Sequence, residues 1–116
     1  LDTAGHRAFV TDSKAAEVVV VDTRNGNVLA KVAAPESLAV LFNPTRNEVY
    51  VTHRQAGKVS VIDAKSYNVV KTFDTPTFPN SLALSADGKT LYVSVKQKST
   101  REKEATEPDD VIRIAL

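Results

Sequence analysis

Two stretches decide the fold: Glu17-Val18-Val19-Val20-Val21-Asp22-Thr23 and Lys58-Val59-Ser60-Val61-Ile62-Asp63-Ala64. They align at an offset of 41 residues, and the register continues through Asn27-Val28-Leu29 against Asn68-Val69-Val70 and Val32 against Phe73. A second set repeats independently. Ala8-Phe9-Val10-Thr11, Val49-Tyr50-Val51-Thr52 and Leu91-Tyr92-Val93-Ser94 share one pattern, with their aromatics 41 and 42 residues apart. Two landmarks at one period identify a repeat protein with units of 41–42 residues.

The content of each unit reads as strand. Short runs of Val, Ile, Thr, Tyr and Phe alternate with clusters of Asn, Asp, Gly, Pro and Ser. In the second unit the expected strands are Ser37–Phe42, Glu48–Thr52, Lys58–Asp63 and Val69–Asp74. Turn chemistry joins them, with Asn25-Gly26 in unit one and Ala86-Asp87-Gly88-Lys89 in unit three supplying residues that tolerate positive φ. Four short antiparallel strands in about 42 residues make the blade of a β-propeller. Val18–Val21, and nearly so Val59–Ile62, are continuous apolar runs, which predicts strands covered on both faces, as blades are by their neighbours.

Phe9-Val10-Thr11-Asp12, Tyr50-Val51-Thr52-His53 and Tyr92-Val93-Ser94-Val95, with Pro79–Val93 before the last box and Lys58–Asp63 after the second, resemble the YVTN β-propeller repeats. The resemblance covers the whole chain and extends to the C-terminal part of one periplasmic, seven-bladed bacterial member. It implies a periplasmic location and a seven-bladed parent ring, and it carries no shared catalytic residues. In this chain the fourth box residue departs from Asn in all three copies.

The expected fold class is therefore all-β: an antiparallel β-propeller of about two and a half four-stranded blades, part of a seven-bladed ring. Blade one is 1–36 and lacks its first strand, blade two is 37–78, and blade three is 79–116 and lacks its fourth. Leu1 aligns with Phe42 and Leu84, at the ends of first strands. A chain without Met that begins at Leu1 does not begin at a translation start, so an upstream segment is expected. Blade faces left open are expected to make the chain self-associate.

Composition narrows the chemistry. The 116 residues include no Cys, which excludes disulfides, thiol catalysis and Cys-liganded metals. A formal net charge of +1 makes no global case for nucleic acid or membrane, and no apolar run approaches the length needed to insert in a bilayer. Neither a nucleophile elbow, a phosphate-cradling Gly loop nor a metal-ligand motif occurs, so no catalytic residue, metal or cofactor is expected. Asp22 and Asp63 recur 41 residues apart before turns, where they should accept backbone N–H bonds.

The loops Asp12–Ala16, Ala34–Glu36, His53–Gly57, Thr75–Asn80 and Lys96–Asp110 should share one face of the ring, where a rigid scaffold carries function. The last is about ten residues longer than its counterparts, and nine of its fifteen residues are charged and sorted by sign. Its first part is +3 and its second −4. Candidate ligand-binding residues are His53, Arg54, Gln55, Lys96, Lys98, Arg101, Lys103 and Phe78. Their structural uses weigh against them: the charged loop as a solvated flap, His53 as a packed histidine, Phe78 and Tyr67 as packing aromatics.

These features indicate a non-enzymatic binding or scaffold module of the bacterial cell envelope, taking an unknown protein or small-molecule ligand. One alternative is nucleic-acid or polyanion binding through Lys96–Lys103. The other is an enzyme whose catalytic residues lie on blades outside this chain.

Overall fold

In the computed structural model, which describes residues 1–76, 78–95 and 110–116, each expected apolar run forms a strand. Sheet A holds β1 (Arg7–Asp12), β2 (Glu17–Asp22) and β3 (Val28–Ala33). Sheet B holds β4 (Ser37–Asn43), β5 (Glu48–His53), β6 (Lys58–Asp63) and β7 (Val69–Asp74). Sheet C holds β8 (Pro79–Leu84), β9 (Thr90–Val95) and β10 (Asp110–Ala115). Every pairing is antiparallel between chain neighbours. The chain is all-β and propeller-type. An isolated bridge from Asp2 to Arg7 stands where sheet B pairs Asn43 with Glu48.

Alternation along the strands builds two cores, one on each side of sheet B. Phe9, Val18, Val20 and Val32 of sheet A meet Val49, Val51 and Ile62. On the opposite face Tyr50, Val59 and Val61 meet Leu91, Val93 and Ile114 of sheet C. Residues 59–62 of β6 are consequently all buried, as its near-continuous apolar run predicts. In β2 the pattern alternates instead: Val18 and Val20 are buried while Val19 and Val21 are half-buried, because sheet A has a neighbour on one side only.

The irregularities repeat along with the strands. Register shifts fall at Ser37/Val40 and Pro79/Ser81 on the first strands of sheets B and C, and at Val20/Val21 and Val61/Ile62 before the outermost strands of sheets A and B. Each of the first pair frees a backbone amide from the ladder, and the third box residue satisfies it. Thr52 Oγ1 accepts the Ala39 N–H at 2.9 Å, and Ser94 Oγ accepts the Ser81 N–H at 3.1 Å. The hydroxyl of the box is thus a bulge cap. Thr52→Val keeps the shape and orphans that amide; a loss of about 1–2 kcal/mol is expected, read as a lower urea midpoint. An unchanged midpoint would refute this role.

Positive φ recurs in the same way. His6 and Asn47 are equivalent positions, as are Ala16 and Gly57, Gly26 and Tyr67, and Glu36 and Phe78; Gly88 stands one residue earlier in its turn, opposite Arg46. These four repeated corners account for every positive-φ residue among the described ones except Gly88, so the blades turn at fixed points whatever side chain stands there. Asp22 and Asp63 cap the same hairpin, accepting the N–H groups of Arg24 at 2.9 Å and of Lys65 at 2.7 Å. The Arg24 side chain and amide hold the Asp22 carboxyl below the usual carboxylate range; the Lys65 and Ser66 amides do so for Asp63.

Two polar side chains lock the sheets together. Asn43, fully buried, donates from Nδ2 to Tyr50 Oη at 2.9 Å and to the Gly88 carbonyl at 3.0 Å, joining sheet B to the β8–β9 turn. Its Oδ1 accepts the amides of Thr45 and Arg46. Burial, with Glu48 nearby, pushes the Tyr50 hydroxyl up to about 12. Arg7 joins sheet A to the β6–β7 turn through the Ala64 carbonyl and the Tyr67 hydroxyl.

Candidate functional site

Four of the loops expected on one face, those of Asp12–Ala16, Ala34–Glu36, His53–Gly57 and Thr75–Asn80, are joined by a repeated set of backbone bonds. Ala34 N–H donates to the Ala16 carbonyl at 2.8 Å, and the equivalent Thr75 N–H donates to the Gly57 carbonyl at 2.8 Å. Each connection between sheets is thereby tied to the hairpin beside it. Arg54 stands at the centre: its N–H donates to the Glu36 carbonyl at 3.1 Å, and its own carbonyl accepts the Phe78 N–H at 2.7 Å. The left-handed corners at Glu36 and Phe78 bring both connections to this residue.

Around Arg54 lies a cleft of about 350 Å³, lined by Ser13, Glu36, Ser37, Leu38, Arg54, Gln55 and Phe78. This volume is at the lower end of the range for small-molecule sites. The Arg54 guanidinium lies over the Phe78 ring, 6.0 Å from its centroid, a cation–π distance. Among the described residues its buried Nε has no hydrogen-bond partner, and neither has the hydroxyl of Ser37, a residue only 3% exposed. Buried polar groups normally find partners, and these two belong to residues that line the same cleft. Gln55 is exposed at the rim, its N–H donating to Glu36 Oε2 at 3.0 Å.

Three of the residues singled out from the sequence therefore meet: Arg54, Gln55 and Phe78. His53 does not join them. Its ring is buried, with Nδ1 2.6 Å from the Pro35 carbonyl and Nε2 2.6 Å from Ser60 Oγ. A carbonyl can only accept, so Nδ1–H donates to Pro35, and Nε2 is paired with the Ser60 hydroxyl. Both ring nitrogens are occupied, and His53 anchors the β3–β4 connection beneath the cleft. Lys96, Lys98, Arg101 and Lys103 lie outside the described residues. Among the described residues no group of three or more His, Asp or Glu side chains is placed to hold a metal.

Ser37 was not among the residues expected at the site. Its signal is a hydroxyl at the head of an otherwise apolar strand, where unit three has Pro79. The apolar wall residue Leu38, 42% exposed, carried no sequence signal apart from its hydrophobicity.

The chain is 90% identical over all 116 residues to the uncharacterised protein YncE of Salmonella typhimurium, and 89% identical to that of Escherichia coli K12. It closely resembles YncE. The chain spans about a third of the length of these relatives. A shorter match, 42% identical over 57 residues, joins half of the chain to 12% of antigen Lp49 of Leptospira interrogans. No protein-family model matches. Among solved structures, Kuenenia stuttgartiensis hydrazine synthase superposes with a TM-score of 0.80 at 24% identity, over 96% of this chain and 32% of its own. Dihydro-heme d1 dehydrogenase NirN in complex with DHE superposes with a TM-score of 0.75 at 18% identity, over 96% of this chain and 22% of its own. Both likenesses are of fold, and both neighbours are β-propeller proteins.

Proposed function

We propose that these 116 residues form a non-enzymatic binding module of the bacterial cell envelope, built from YVTN-type repeats and contributing part of a seven-bladed periplasmic ring. Its ligand enters the cleft around Arg54. The observation carrying this reading is the Arg54 guanidinium, lying over Phe78 with a buried, partnerless Nε in the cleft wall. A free guanidinium offers planar, charge-assisted hydrogen bonding to an acidic group, and Phe78 and Leu38 add apolar surface.

The test is a small-molecule screen followed by two-dimensional NMR on the 116-residue chain. Hits are expected to shift the amides of Glu36–Leu38, Arg54, Gln55 and Phe78, and to weaken about tenfold or more in Arg54→Gln. Hits that move only amides remote from this cleft would sink the reading.

Two other readings have their own observations. The basic stretch Lys96–Lys103 suits a polyanion such as nucleic acid, whose affinity must fall steeply with salt; a salt-independent affinity removes it. An enzymatic parent is suggested by the names of the two fold neighbours, a synthase and a dehydrogenase, and a full-length protein inert in hydrolase and oxidoreductase assays removes that.

The outer face of sheet A exposes Val10 and that of sheet C exposes Tyr92 and Val111. Self-association of the chain through these faces is expected, giving a mass above 12.5 kDa in light scattering after size exclusion. A monodisperse monomer refutes it.

A further inference from the structure

The cleft holds two opposite charges that do not neutralise each other. Glu36 and Arg54 are joined through their backbones at 3.1 Å, yet among the described residues no ion pair links their side chains. Arg7, Arg24 and Arg46, by contrast, each hold a carboxylate within 3.1 Å. The Glu36 carboxylate is positioned by the Gln55 N–H on Oε2. The cleft wall thus presents a cation, an anion, a buried unpaired hydroxyl at Ser37 and an apolar patch from Leu38 and Phe78.

We propose that the cleft receives a small zwitterion, an α-amino acid or dipeptide with an apolar side chain. Its carboxylate pairs with Arg54 and the Ser37 hydroxyl, its ammonium with Glu36, and its side chain lies against Leu38 and Phe78. The inference rests on the cleft being the binding site proposed above and names the chemistry it selects. Charge complementarity favours this occupant over a polyanion, because Glu36 in the same wall repels additional negative charge. The volume of about 350 Å³ also suits a ligand of one or two residues.

Isothermal titration of the 116-residue chain tests it with five probes: L-leucine, leucyl-leucine, N-acetyl-leucine, leucinamide and inorganic phosphate. At least one of the two zwitterions is expected to bind, and the tighter of them tells free amino acid from dipeptide. Removing either charge, as in N-acetyl-leucine or leucinamide, is expected to weaken binding about tenfold or more. Arg54→Gln should abolish the preference for leucine over leucinamide, and Glu36→Gln that for leucine over N-acetyl-leucine. If phosphate or a capped analogue binds as tightly as the zwitterions and remains sensitive to Arg54→Gln, the zwitterion is refuted and the binding cleft survives. If no probe, and no hit of the wider screen, responds to Arg54→Gln, both readings fail. The comparison among probes requires no variant, so it separates the zwitterion from its rivals even where a variant does not fold.

Discussion

Replacing Asn43 by alanine is expected to cost about 3–4 kcal/mol, one of the two largest single losses in this chain, because it orphans buried groups on both sides of a sheet interface. Asn43 is fully buried and uses both ends of its amide. Without Nδ2, the Gly88 carbonyl loses its donor at 3.0 Å and Tyr50 Oη its donor at 2.9 Å. Without Oδ1, the amides of Thr45 and Arg46 lose their acceptor in the β4–β5 turn. The site cannot collapse to compensate. A Cβ on Gly88 would stand 2.8 Å from Thr45 and 3.0 Å from Asn43 Oδ1, so the turns already touch, and the glycine is required there both for space and for φ +72°. Serine separates the two halves of the effect. Ser85 occupies the equivalent position in sheet C and satisfies its own turn by accepting the Thr90 N–H at 3.0 Å. Asn43→Ser should therefore retain part of the turn bonding but not the reach to Gly88, and lose about half as much. Urea unfolding measures both. An alanine variant within about 1 kcal/mol of the parent would show that the latch carries nothing.

How much of this was legible in the sequence divides along the chain's periodicity. Whatever repeats at 41–42 residues could be read: the strands, the hairpin-capping Asp22 and Asp63, and the side of the sheets on which the cleft opens. Arg54, Gln55 and Phe78 were found because they occupy loops placed by that repeat. The contacts that join one blade to the next were not legible. Arg7, Glu48 and Thr90 are equivalent positions with three different side chains, so alignment of the units averages away the one that matters. His53, a candidate from the sequence but read there as a packed histidine, owes its orientation to contacts of the same kind. The box strand carries it to the cleft end, but the partners that turn its ring inward, Pro35 and Ser60, lie on other strands and connections. The apolar run Val18–Val21 likewise showed that a strand can be covered twice. The number of neighbouring sheets decides whether it is.

Arg7→Met is the second large effect, expected at about 2–4 kcal/mol, since it keeps the apolar stem and removes one partner of a buried ion pair. The guanidinium binds Asp2 at 2.7 Å, with only 13% and 7% of the two side chains exposed. It reaches the Ala64 carbonyl and donates to Tyr67 Oη at 3.2 Å, and it lies 5.2 Å from the Phe9 ring centroid and 5.8 Å from that of Phe42. Those two rings are themselves stacked at 5.4 Å across the interface of sheets A and B, so the cation covers the exposed end of the core they form. The variant leaves the Asp2 carboxylate without its cation, and pH exposes that. Burial pushes the Asp2 carboxyl up, but the Gly5 amide and the Arg7 guanidinium together outweigh it and hold the group below the usual carboxylate range. A carboxyl depressed in the folded state adds stability above its unfolded value of about 4, and that stability is lost as pH falls through the folded value. The parent should therefore lose this contribution below about pH 4, while Arg7→Met has already lost most of it. The gap between their urea midpoints is expected to narrow as pH is lowered from 7 to 3. A gap constant across that range would assign the loss to the bonds to Ala64 and Tyr67 and to the packing over Phe9 and Phe42, and reject the ion pair as a source of stability.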